Sequence, residues 1–354
     1  MNTLNDSTVE PINEKENIAL RFMREELFGQ YLSIDGLTEI AINRPGELFT
    51  KINGKWDMHP ASITYEQAMS FANALAVWNS DNIDNVSPIL SATLPTGERC
   101  QVVIPDACQR DTVSITIRKP SNVDIPHQSY IDNGFYSRVM GQEAIKSKDD
   151  ELIELYQSGD IPRFVEKLIE YGKTVFIVGG TGTGKTTYMK TLLKYIPLNL
   201  RLITIEDNPE ITFYQHKNYV HLFYPADAGH DAIVTPSRLI RACYRMNPDR
   251  ILLTEVRGGE AWDCLKIVGS GHEGLVTSLH AGSPAECITG IIDRCYENAA
   301  CQGMPYDVLL RKTLNCVDAI ISVDIHGNLR RMGDIYFKPL HLADMKEKFG
   351  YAAL

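Results

Sequence analysis

Eight consecutive residues match the pattern Gly-x-x-x-x-Gly-Lys-Thr, which is typical of loops that bind nucleotide phosphates. The matching residues and the threonine that follows them are Gly179, Gly180, Thr181, Gly182, Thr183, Gly184, Lys185, Thr186 and Thr187. Glycines allow such a loop to turn its backbone N–H groups around an anion, and the positive end of the following helix adds to this field. We expect Lys185 to contact the terminal phosphates and the Thr186 hydroxyl to bind Mg²⁺. The pattern therefore predicts a site for ATP and Mg²⁺.

Two apolar segments with strand character each run into an acidic residue. Residues 201–205 precede Glu206, and residues 251–254 precede Glu255. Ligands of parallel α/β sheets bind outside the carboxyl ends of the strands, so both acids are predicted to lie near the phosphate loop. One acid after a strand is usually a helix cap, whereas two favour a role in ordering metal and water. We expect Glu255 to bind Mg²⁺ directly or through a water molecule.

A third apolar segment, residues 275–279, runs into His280. From that position a histidine can hydrogen-bond the terminal phosphate or relay its loss. An isolated histidine is more often a structural residue. The glycine-rich residues 269–274 before this segment favour the interpretation of His280 as a phosphate sensor.

The bulk composition limits the classes to which the chain can belong. The chain of 354 residues is longer than a typical domain with a single hydrophobic core, so we first expect two domains. No stretch approaches the roughly 18 apolar residues of a membrane span, and the polar, acidic N-terminus does not resemble a secretory signal. The net charge of −10 counts against direct binding of nucleic acid, although it leaves open a local basic groove as an alternative.

The cysteines are scattered along the chain. None of the eight forms a Cys-x-x-Cys pair, which argues against zinc ribbons and dithiol redox sites. We expect reduced, mostly buried thiols in the cytosol.

Before residue 120, helix and strand patterns are mixed. Apolar residues at helical spacing predict an amphipathic helix over 18–31, packed on its own domain or on a neighbouring subunit rather than on lipid. Thr64 and Gln67 form a capping box before a second helix, and Asn53-Gly54 predicts a tight hairpin turn. Alternating segments predict strands at 37–43, 47–52, 55–58, 88–94, 98–104 and 113–118. Residues 17–120 are therefore predicted to form an α+β domain, preceded by a disordered tail over 1–16.

After residue 120, the sequence predicts a linker and then an α/β domain. The linker, 121–148, lacks a sustained pattern apart from a short helical segment near 130–139. From 149 onward helices and strands alternate, as in a parallel sheet covered by helices. Two alternating segments around Gly327-Asn328 predict a hairpin that closes an edge of this sheet. The predicted fold class is α/β, with an ATPase domain over 149–340 and a C-terminal tail over 341–354.

Three further motifs follow the phosphate loop: an acidic box at 203–210, a Walker B strand at 253–257 and a histidine box through His280. Their order and spacing resemble the secretion traffic ATPases. Four further segments are similar to the VirB class of ATPases of type IV secretion and plasmid conjugation, which includes TrwD-like proteins. These segments are residues 41–47, 95–99, 115–120 and 257–261. The absence of Cys-x-x-Cys pairs argues against the type II branch. The resemblance covers residues 20 to 340.

This resemblance implies a RecA-like domain that hydrolyses ATP to ADP and phosphate. It also implies a ring-shaped homohexamer with nucleotide held between the two domains, and a linker that moves the ATPase domain onto a neighbouring subunit. The ring is expected to dock on inner-membrane and coupling components of a type IV secretion system, so the protein is expected to be cytoplasmic and peripheral on the inner membrane. The implied function couples ATP hydrolysis to pilus assembly or to transfer of protein or DNA–protein substrates.

Three arginines become catalytic candidates through the same resemblance. Arg99 and Arg118, from the N-terminal domain, are implied to approach the phosphates as charge-neutralising fingers, although arginines on surface strands also serve solubility. Arg257 follows the Walker B glutamate. The sequence departs from many relatives at Thr254, where glycine is common, and at Ser278, where threonine is frequent. We expect these two differences to affect fine geometry rather than activity.

Two other functions stay open from the sequence. In the first, ATP binding sets the shape of the ring and recruits partners, while hydrolysis only resets the ring. In the second, the ring is a DNA translocase. The acidic net charge counts against a translocase, and salt-sensitive binding to DNA would support it.

Overall fold

The computed structural model describes residues 18–120, 125–137, 139, 147–227 and 232–350. Its first eight elements are α1 Ile18–Leu32, β1 Leu37–Ile42, β2 Glu47–Ile52, β3 Lys55–Pro60, α2 Tyr65–Trp78, β4 Ile89–Thr93, β5 Arg99–Val103 and β6 Ser114–Arg118. Next come α3 His127–Asp132, α4 Lys148–Gln157, α5 Ile161–Glu170, β7 Val175–Val178, α6 Lys185–Leu192, β8 Leu202–Glu206, β9 Tyr219–Phe223 and α7 Pro236–Met246. The last are β10 Arg250–Leu253, α8 Glu260–Gly269, β11 Val276–Leu279, α9 Pro284–Glu297, α10 Tyr306–Cys316, β12 Ala319–His326, β13 Leu329–Phe337 and α11 Lys338–Lys348.

The N-terminal strands form an antiparallel sheet in the order β3-β2-β1-β6-β5-β4. The turn between β2 and β3 has positive φ at both central residues, Asn53 (50°) and Gly54 (79°), which matches the twist of a tight hairpin. The predicted capping box at Thr64 is present at the start of α2. Helices α1 and α2 pack through Phe28 and Phe71, whose ring centroids lie 5.1 Å apart. The strands and helices predicted for this region are confirmed.

The second sheet has seven strands in the order β13-β12-β7-β11-β10-β8-β9. Neighbouring strands from β12 to β9 are parallel, and the edge strand β13 runs antiparallel to β12. Side chains of β7 alternate between two apolar cores, with Phe176 and Val178 in one and Val175 and Ile177 in the other. Because helices cover both faces, the short central strands are buried throughout. The predicted fold class and the edge-closing hairpin are confirmed.

Two segments differ from the sequence-based expectation. The linker helix spans His127–Asp132 rather than 130–139. The segment predicted as a C-terminal tail continues as α11 to Lys348, because Met345 packs against the main core and the ring of His341 accepts a hydrogen bond from the Phe337 amide (2.9 Å). The tail predicted over 1–16 lies outside the described residues. No helix in the described part of the chain is long and apolar enough to cross a membrane.

The N-terminal domain contacts the second sheet along edge strand β9, through residues 107–109, and at the amino ends of the parallel strands. Arg201, directly before β8, is fully buried, and its guanidinium donates to Asn43 and Asn218 side-chain oxygens at 2.7 Å each. The same group donates to the Thr116 hydroxyl (3.2 Å) and to the Met246 carbonyl (3.1 Å). Residues from both sheets therefore surround one buried cation. The phosphate loop lies at the carboxyl ends of the parallel strands, which are the opposite ends from this junction.

Candidate active site

The phosphate loop connects β7 to α6 and depends on glycine at both ends. At Gly179, a Cβ atom would lie 2.3 Å from the Val323 carbonyl oxygen of β12, so no larger residue fits there. Gly184 caps α6 with a φ of 93°, in the left-handed region that glycine adopts most easily. The tip residues Gly180, Thr181 and Gly182 are exposed to solvent. The strand, loop and helix therefore have the geometry that the sequence motif predicted.

Lys185, at the start of α6, lies within this loop. Its ammonium group donates to the carbonyls of Gly179 and Gly180 at 2.9 Å each and lies 3.2 Å from Nδ1 of His280. Burial lowers the pKa of Lys185, and the nearby Glu255 carboxylate partly opposes that shift. Thr186 and Thr187 follow on the first turn of the helix, with Thr187 exposed. The prediction that Lys185 contacts the terminal phosphates of a bound nucleotide stays a prediction.

A series of polar contacts leads from Lys185 across the neighbouring strands. Nε2 of His280, after β11, lies 2.9 Å from one Glu255 oxygen. The other Glu255 oxygen accepts from Nε of Arg257 at 2.8 Å, and Nη1 of Arg257 lies 2.7 Å from a carboxylate oxygen of Asp207. We call the five residues from Lys185 to Asp207 the ion-pair chain. It follows the strand order β7-β11-β10-β8, because each member lies at or just beyond the carboxyl end of one of these strands.

Two buried hydroxyl residues join the strands beneath this series. The Ser278 hydroxyl donates to the Thr254 carbonyl at 2.7 Å, and the Thr254 hydroxyl donates to the Ile205 carbonyl at 3.4 Å. Each hydroxyl thus makes a bond between adjacent strands. The side chains at 254 and 278 therefore help to set the spacing of β8, β10 and β11.

The residues present fit a magnesium ion bound together with phosphate. No group of three or more acidic, histidine or cysteine side chains suited to a metal occurs in the described residues. Mg²⁺ in nucleotide sites needs few protein ligands, since phosphates and waters supply most of its oxygen shell. Thr186 and Glu255 offer the oxygen ligands that this ion prefers. The sequence-based assignment of Mg²⁺ to these two residues stays a prediction.

Comparison with known proteins shows the family to which the chain belongs. Residues 66–319 match the family described as type II/IV secretion system protein. The chain belongs to this family. The type IV secretion system protein VirB11 of Brucella suis is 38% identical over 310 residues, which cover 86% of each chain. PtlH of Bordetella pertussis, another type IV secretion system protein, is 35% identical over 314 residues, covering 87% of this chain and 92% of PtlH.

A solved structure extends the likeness to three dimensions. The crystal structure of the Brucella suis VirB11 ATPase in complex with sulphate has a TM-score of 0.84 and 36% identity to this chain. The matched residues cover 94% of this chain and 97% of the Brucella suis chain. The resemblance to VirB-class secretion ATPases is therefore confirmed, and the protein is an ATPase.

Glu206 of this secretion ATPase lies outside the ion-pair chain. Its carboxylate is fully buried, with one oxygen 2.5 Å from the Thr204 hydroxyl and 3.1 Å from Nδ1 of His221. The other oxygen accepts from the backbone amides of Glu210 and Ile211 at 2.8 Å each. One oxygen therefore contacts side chains of β8 and β9 and the other holds the loop after β8, while the next residue along the chain, Asp207, contacts Arg257. The sequence showed two acids after this strand but not which one faces the site.

Arg99 and Arg118 of the secretion ATPase are paired across β5 and β6, as expected from their strands. Arg118 lies 3.7 Å from Glu39 and borders a cavity with Asp249 and His272, at the amino ends of the parallel strands. In the described part of a single chain, neither arginine contacts the phosphate loop. The structure thus brings together Lys185, His280, Glu255 and Arg257 of the predicted site and leaves the two N-terminal arginines apart from it.

Some residues near the loop of the secretion ATPase carried no sequence signal. Arg330 of β13 lies over Gly184, with its Cδ and Nε 3.1 Å from where a Cβ would stand. Tyr188 lies one turn into α6 on the same side, and burial raises its pKa to about 12. No motif marks these positions, because their proximity depends on the pairing of β12 with β7. The predicted edge hairpin gave the only indication that residues near 330 lie beside the loop strand.

Proposed function

We propose that this secretion ATPase hydrolyses Mg·ATP at the phosphate loop and couples turnover to pilus assembly or substrate transfer through a type IV secretion system. The observation that carries the proposal is the ion-pair chain, which connects the loop lysine to Glu255 and Asp207. The names of the relatives, VirB11 and PtlH, support the assignment to type IV secretion.

Each member of the ion-pair chain has a role in this proposal. Lys185 and His280 bind the terminal phosphate, and Glu255 orients the attacking water. Thr186 and Glu255 would hold a magnesium ion, which would supply neutralisation of the charge on the phosphates. Arg257 holds one Glu255 oxygen, so the carboxylate keeps its orientation when His280 turns to the γ-phosphate. Such positioning and electrostatic stabilisation account for most of the rate in phosphoryl transfer.

Glu206 acts as a positioning residue in the same proposal. Its carboxylate fixes the backbone of residues 210 and 211, which fixes the start of the loop that presents Asp207. Asp207 in turn holds Arg257 through the 2.7 Å ion pair. The effect of Glu206 on hydrolysis therefore passes through two other side chains.

We propose a ring-shaped homohexamer as the working assembly. Arg99 and Arg118 lie at the opposite end of the parallel sheet from the loop of their own chain, so they are available to the phosphates of another subunit. Nucleotide is then held between an ATPase domain and the N-terminal domain of a neighbour. The ring acts on the cytoplasmic face of the inner membrane, on the membrane and coupling components of the secretion system. Mass measurement with and without Mg·ATP tests the hexamer.

Glu255→Gln tests the proposed chemistry. The variant keeps the shape of the side chain and removes its negative charge, so we expect ATP to bind while kcat falls by about 10²–10⁴-fold. Binding is measured by titration with nucleotide and hydrolysis by phosphate release. Hydrolysis at the wild-type rate contradicts the proposal. Secretion or pilus assembly by a strain carrying only this variant would show that hydrolysis merely resets a nucleotide-gated scaffold.

A further inference from the structure

A cavity of about 520 Å³ lies next to the ion-pair chain, between the first turns of α7 and α8. We call it the arginine cavity, because it is lined by three guanidinium groups, those of Arg238, Arg241 and Arg257. Two carboxylates, Glu260 and Glu297, line it as well. Its size falls in the range of small-molecule sites, roughly 300–1,000 Å³. The cavity therefore has the volume and the excess of positive groups that a small anion needs.

Both carboxylates of the arginine cavity lie against the start of α8. One Glu260 oxygen accepts hydrogen bonds from the backbone amides of Arg257 (2.6 Å) and Gly258 (2.9 Å). Glu297 lies so close to Gly258 that one of its oxygens is 2.8 Å from where a Cβ atom would stand. Within the described residues, neither carboxylate forms an ion pair with a guanidinium group of the cavity. The arginines of the cavity are therefore not paired with its own acids.

Two arginines on one face of α7 supply donors that a ligand can use. Arg238 is exposed, and its guanidinium donates to the Ile233 carbonyl and forms no ion pair with the described residues. The side chain of Arg241, three residues further along the helix, is 60% exposed, and its contact with Asp263 is long at 3.4 Å. A guanidinium group binds phosphate oxygens through two parallel N–H donors, and the positive end of a helix adds to the attraction. The first turn of α7 therefore favours an anion of the phosphate class.

Tyr224, the residue after β9, adds a neutral donor to the lining. It is only 6% exposed, and its hydroxyl makes no hydrogen bond with the described residues. Burial and the nearby Asp207 carboxylate raise the pKa of Tyr224, so the hydroxyl keeps its proton at neutral pH. Buried polar groups ordinarily have a hydrogen-bond partner. Tyr224 is therefore a buried donor that a ligand of the arginine cavity can satisfy.

The strand order places the arginine cavity on the side of Glu255 that faces away from the phosphate loop. The loop follows β7, whereas the cavity lies beyond β10 and β9, the strands that precede Arg257 and Tyr224. Arg257 belongs to both sites, because its Nε lies 2.8 Å from a Glu255 oxygen and its side chain lines the cavity. One side chain therefore separates the cavity from the carboxylate that is proposed to orient the attacking water. A phosphate freed beside Glu255 has this cavity on the side opposite to the ADP that the loop retains.

We propose that the arginine cavity receives the inorganic phosphate released by hydrolysis, and that Arg238, Arg241 and Tyr224 bind this ion after it passes Arg257. The inference rests on the proposed function, because it requires the γ-phosphate to be cleaved beside Glu255. Clefts lined by charge of one sign raise the rate at which ions of the opposite sign enter by about 10–10³-fold. Because Arg238 and Arg241 are exposed, water and salt screen them, so the phosphate can leave again. The two arginines of α7 thus control the release of phosphate rather than the cleavage of ATP.

Separate measurements of phosphate formation and phosphate release test the inference. In a single turnover of Mg·ATP, acid quenching reports the phosphate that has formed, and a fluorescent phosphate sensor reports the phosphate that has left the protein. We expect Arg238→Gln and Arg241→Gln to slow release about tenfold more than they slow formation. Arg238→Lys keeps the charge and should restore most of the rate of release. Equal effects on formation and release, including no effect on either, overturn the inference.

Binding of added inorganic phosphate gives a second test, which does not depend on turnover. The phosphate loop is also expected to bind this ion, so the titrations use Lys185→Ala, in which the loop has lost its cation. We expect Lys185→Ala to keep a phosphate site, and the further substitutions Arg238→Gln and Arg241→Gln to weaken this site by about tenfold or more. Broadening of the phosphorus NMR signal measures the dissociation constants. The inference is overturned if Lys185→Ala binds no phosphate, or if the further substitutions leave its affinity unchanged.

Arg245→Gln is the matched control for the two arginines. Arg245 is exposed one turn further along α7 and does not belong to the lining of the cavity. The control should form, release and bind phosphate as the wild type does. Thermal unfolding and mass measurement check that each variant folds and assembles as the wild type does. If Arg238→Gln or Arg241→Gln folds but loses the wild-type assembly, the cavity is a contact between subunits and the inference is overturned.

Failure of the proposed function gives a different result. If the chain does not hydrolyse ATP at the loop, acid quenching will detect equal amounts of phosphate with the wild type and with Lys185→Ala. If ATP is hydrolysed at the loop but the cavity does not receive the phosphate, only the wild type will form phosphate, and the variants of Arg238 and Arg241 will release it as fast as the wild type. The two hypotheses are therefore tested separately by one set of proteins.

Discussion

The two ends of the seven-stranded sheet both collect polar side chains, but they hold their arginines differently. At the carboxyl ends, Arg257 has a half-exposed side chain and contacts the carboxylates of Glu255 and Asp207. At the amino ends, Arg201 is fully buried, and its guanidinium hydrogen bonds within the described residues go to Asn43, Asn218, a hydroxyl and a carbonyl. One arginine lies where a ligand can reach it, whereas the other is enclosed between two sheets.

This difference separates chemistry from assembly. Burial lowers the pKa of Arg201 to about 10, with Asp249 opposing the shift, so holding the charge there is costly. That cost is offset by neutral groups that come from both sheets, which makes the cation a connector between them. The carboxyl end instead keeps charges of both signs in contact and partly open to solvent, where arriving phosphates can exchange partners with them.

Lys185→Ala should have the largest effect at the carboxyl end. The variant removes the cation from the phosphate site, so we expect ATP turnover to fall by at least about 10²–10³-fold, as on loss of one preorganised electrostatic contact. The exposed Gly180 carbonyl can bind water instead, whereas the buried Gly179 carbonyl loses a donor, so we expect stability to fall by at most about 1–3 kcal/mol. Phosphate release and thermal unfolding measure the two effects. Lys190→Ala, on an exposed position of the same helix, is the control, and equal turnover in both variants would contradict the assignment.

Arg201→Met should have the largest effect at the amino end. It removes the guanidinium donor from the oxygens of Asn43 and Thr116 and leaves the Asn218 oxygen with the Asn43 amide as its donor, so we expect a loss of about 3 kcal/mol in the free energy of unfolding. Urea unfolding measures this loss, and Arg311→Met at an exposed position is the control. ATP binding by the folded fraction should persist. A stable variant that fails to bind ATP would show that the two ends are not separate in function.

Glu206→Gln and Asp207→Asn compare two adjacent acids within the carboxyl end. Glu206→Gln replaces an oxygen that accepts backbone or side-chain donors, so we expect it to cost about 1–3 kcal/mol of stability. Asp207→Asn loses only a partly exposed ion pair with Arg257 and should cost less than about 1 kcal/mol while still lowering kcat. Unfolding and hydrolysis assays give both quantities. If Glu206→Gln is fully stable but requires more Mg²⁺ for turnover, Glu206 acts at the metal after all.

The carboxyl end was more predictable from the sequence than the amino end. The phosphate loop, Glu255 and His280 follow short apolar strands, and parallel strands place such residues on one edge without knowledge of distant contacts. The sequence could not predict whether Glu206 or Asp207 faces the site, because this depends on where the loop brings residues 210 and 211 back to the end of the strand. The hydrogen bonds of the Glu206 carboxylate show this dependence on local loop geometry.

The amino end and the approach of Arg330 to the phosphate loop depend on contacts between distant segments. Arg201 appeared in the sequence as the first residue of an apolar strand, and its partners Asn43 and Thr116 are 158 and 85 residues away. Arg330 likewise reaches Gly184 only because β12 pairs with β7. Hydrophobic periodicity predicts which residues form strands, but it holds no information on the order in which those strands pair. The structure supplied that order.

His272 gives the smallest and most specific test of the amino end. Burial and the nearby Arg118 guanidinium lower its pKa below the usual 6.5, with Asp249 opposing and Lys51 adding to the effect. The unfolded chain therefore binds more protons than the folded chain as the pH falls through the usual pKa, so acid removes stability. When the pH falls from about 7.5 to about 5.5, the free energy of unfolding should decrease less for His272→Gln than for the wild type. We expect the two decreases to differ by about 1 kcal/mol or less, because solvent screens the charges around this half-buried ring. Arg118→Gln should also reduce the loss. Unfolding at several pH values measures these losses of stability. If Arg118→Gln and the wild type lose the same stability in acid, Arg118 does not lie at the amino ends of its own chain in solution. The argument that Arg118 serves another subunit then fails.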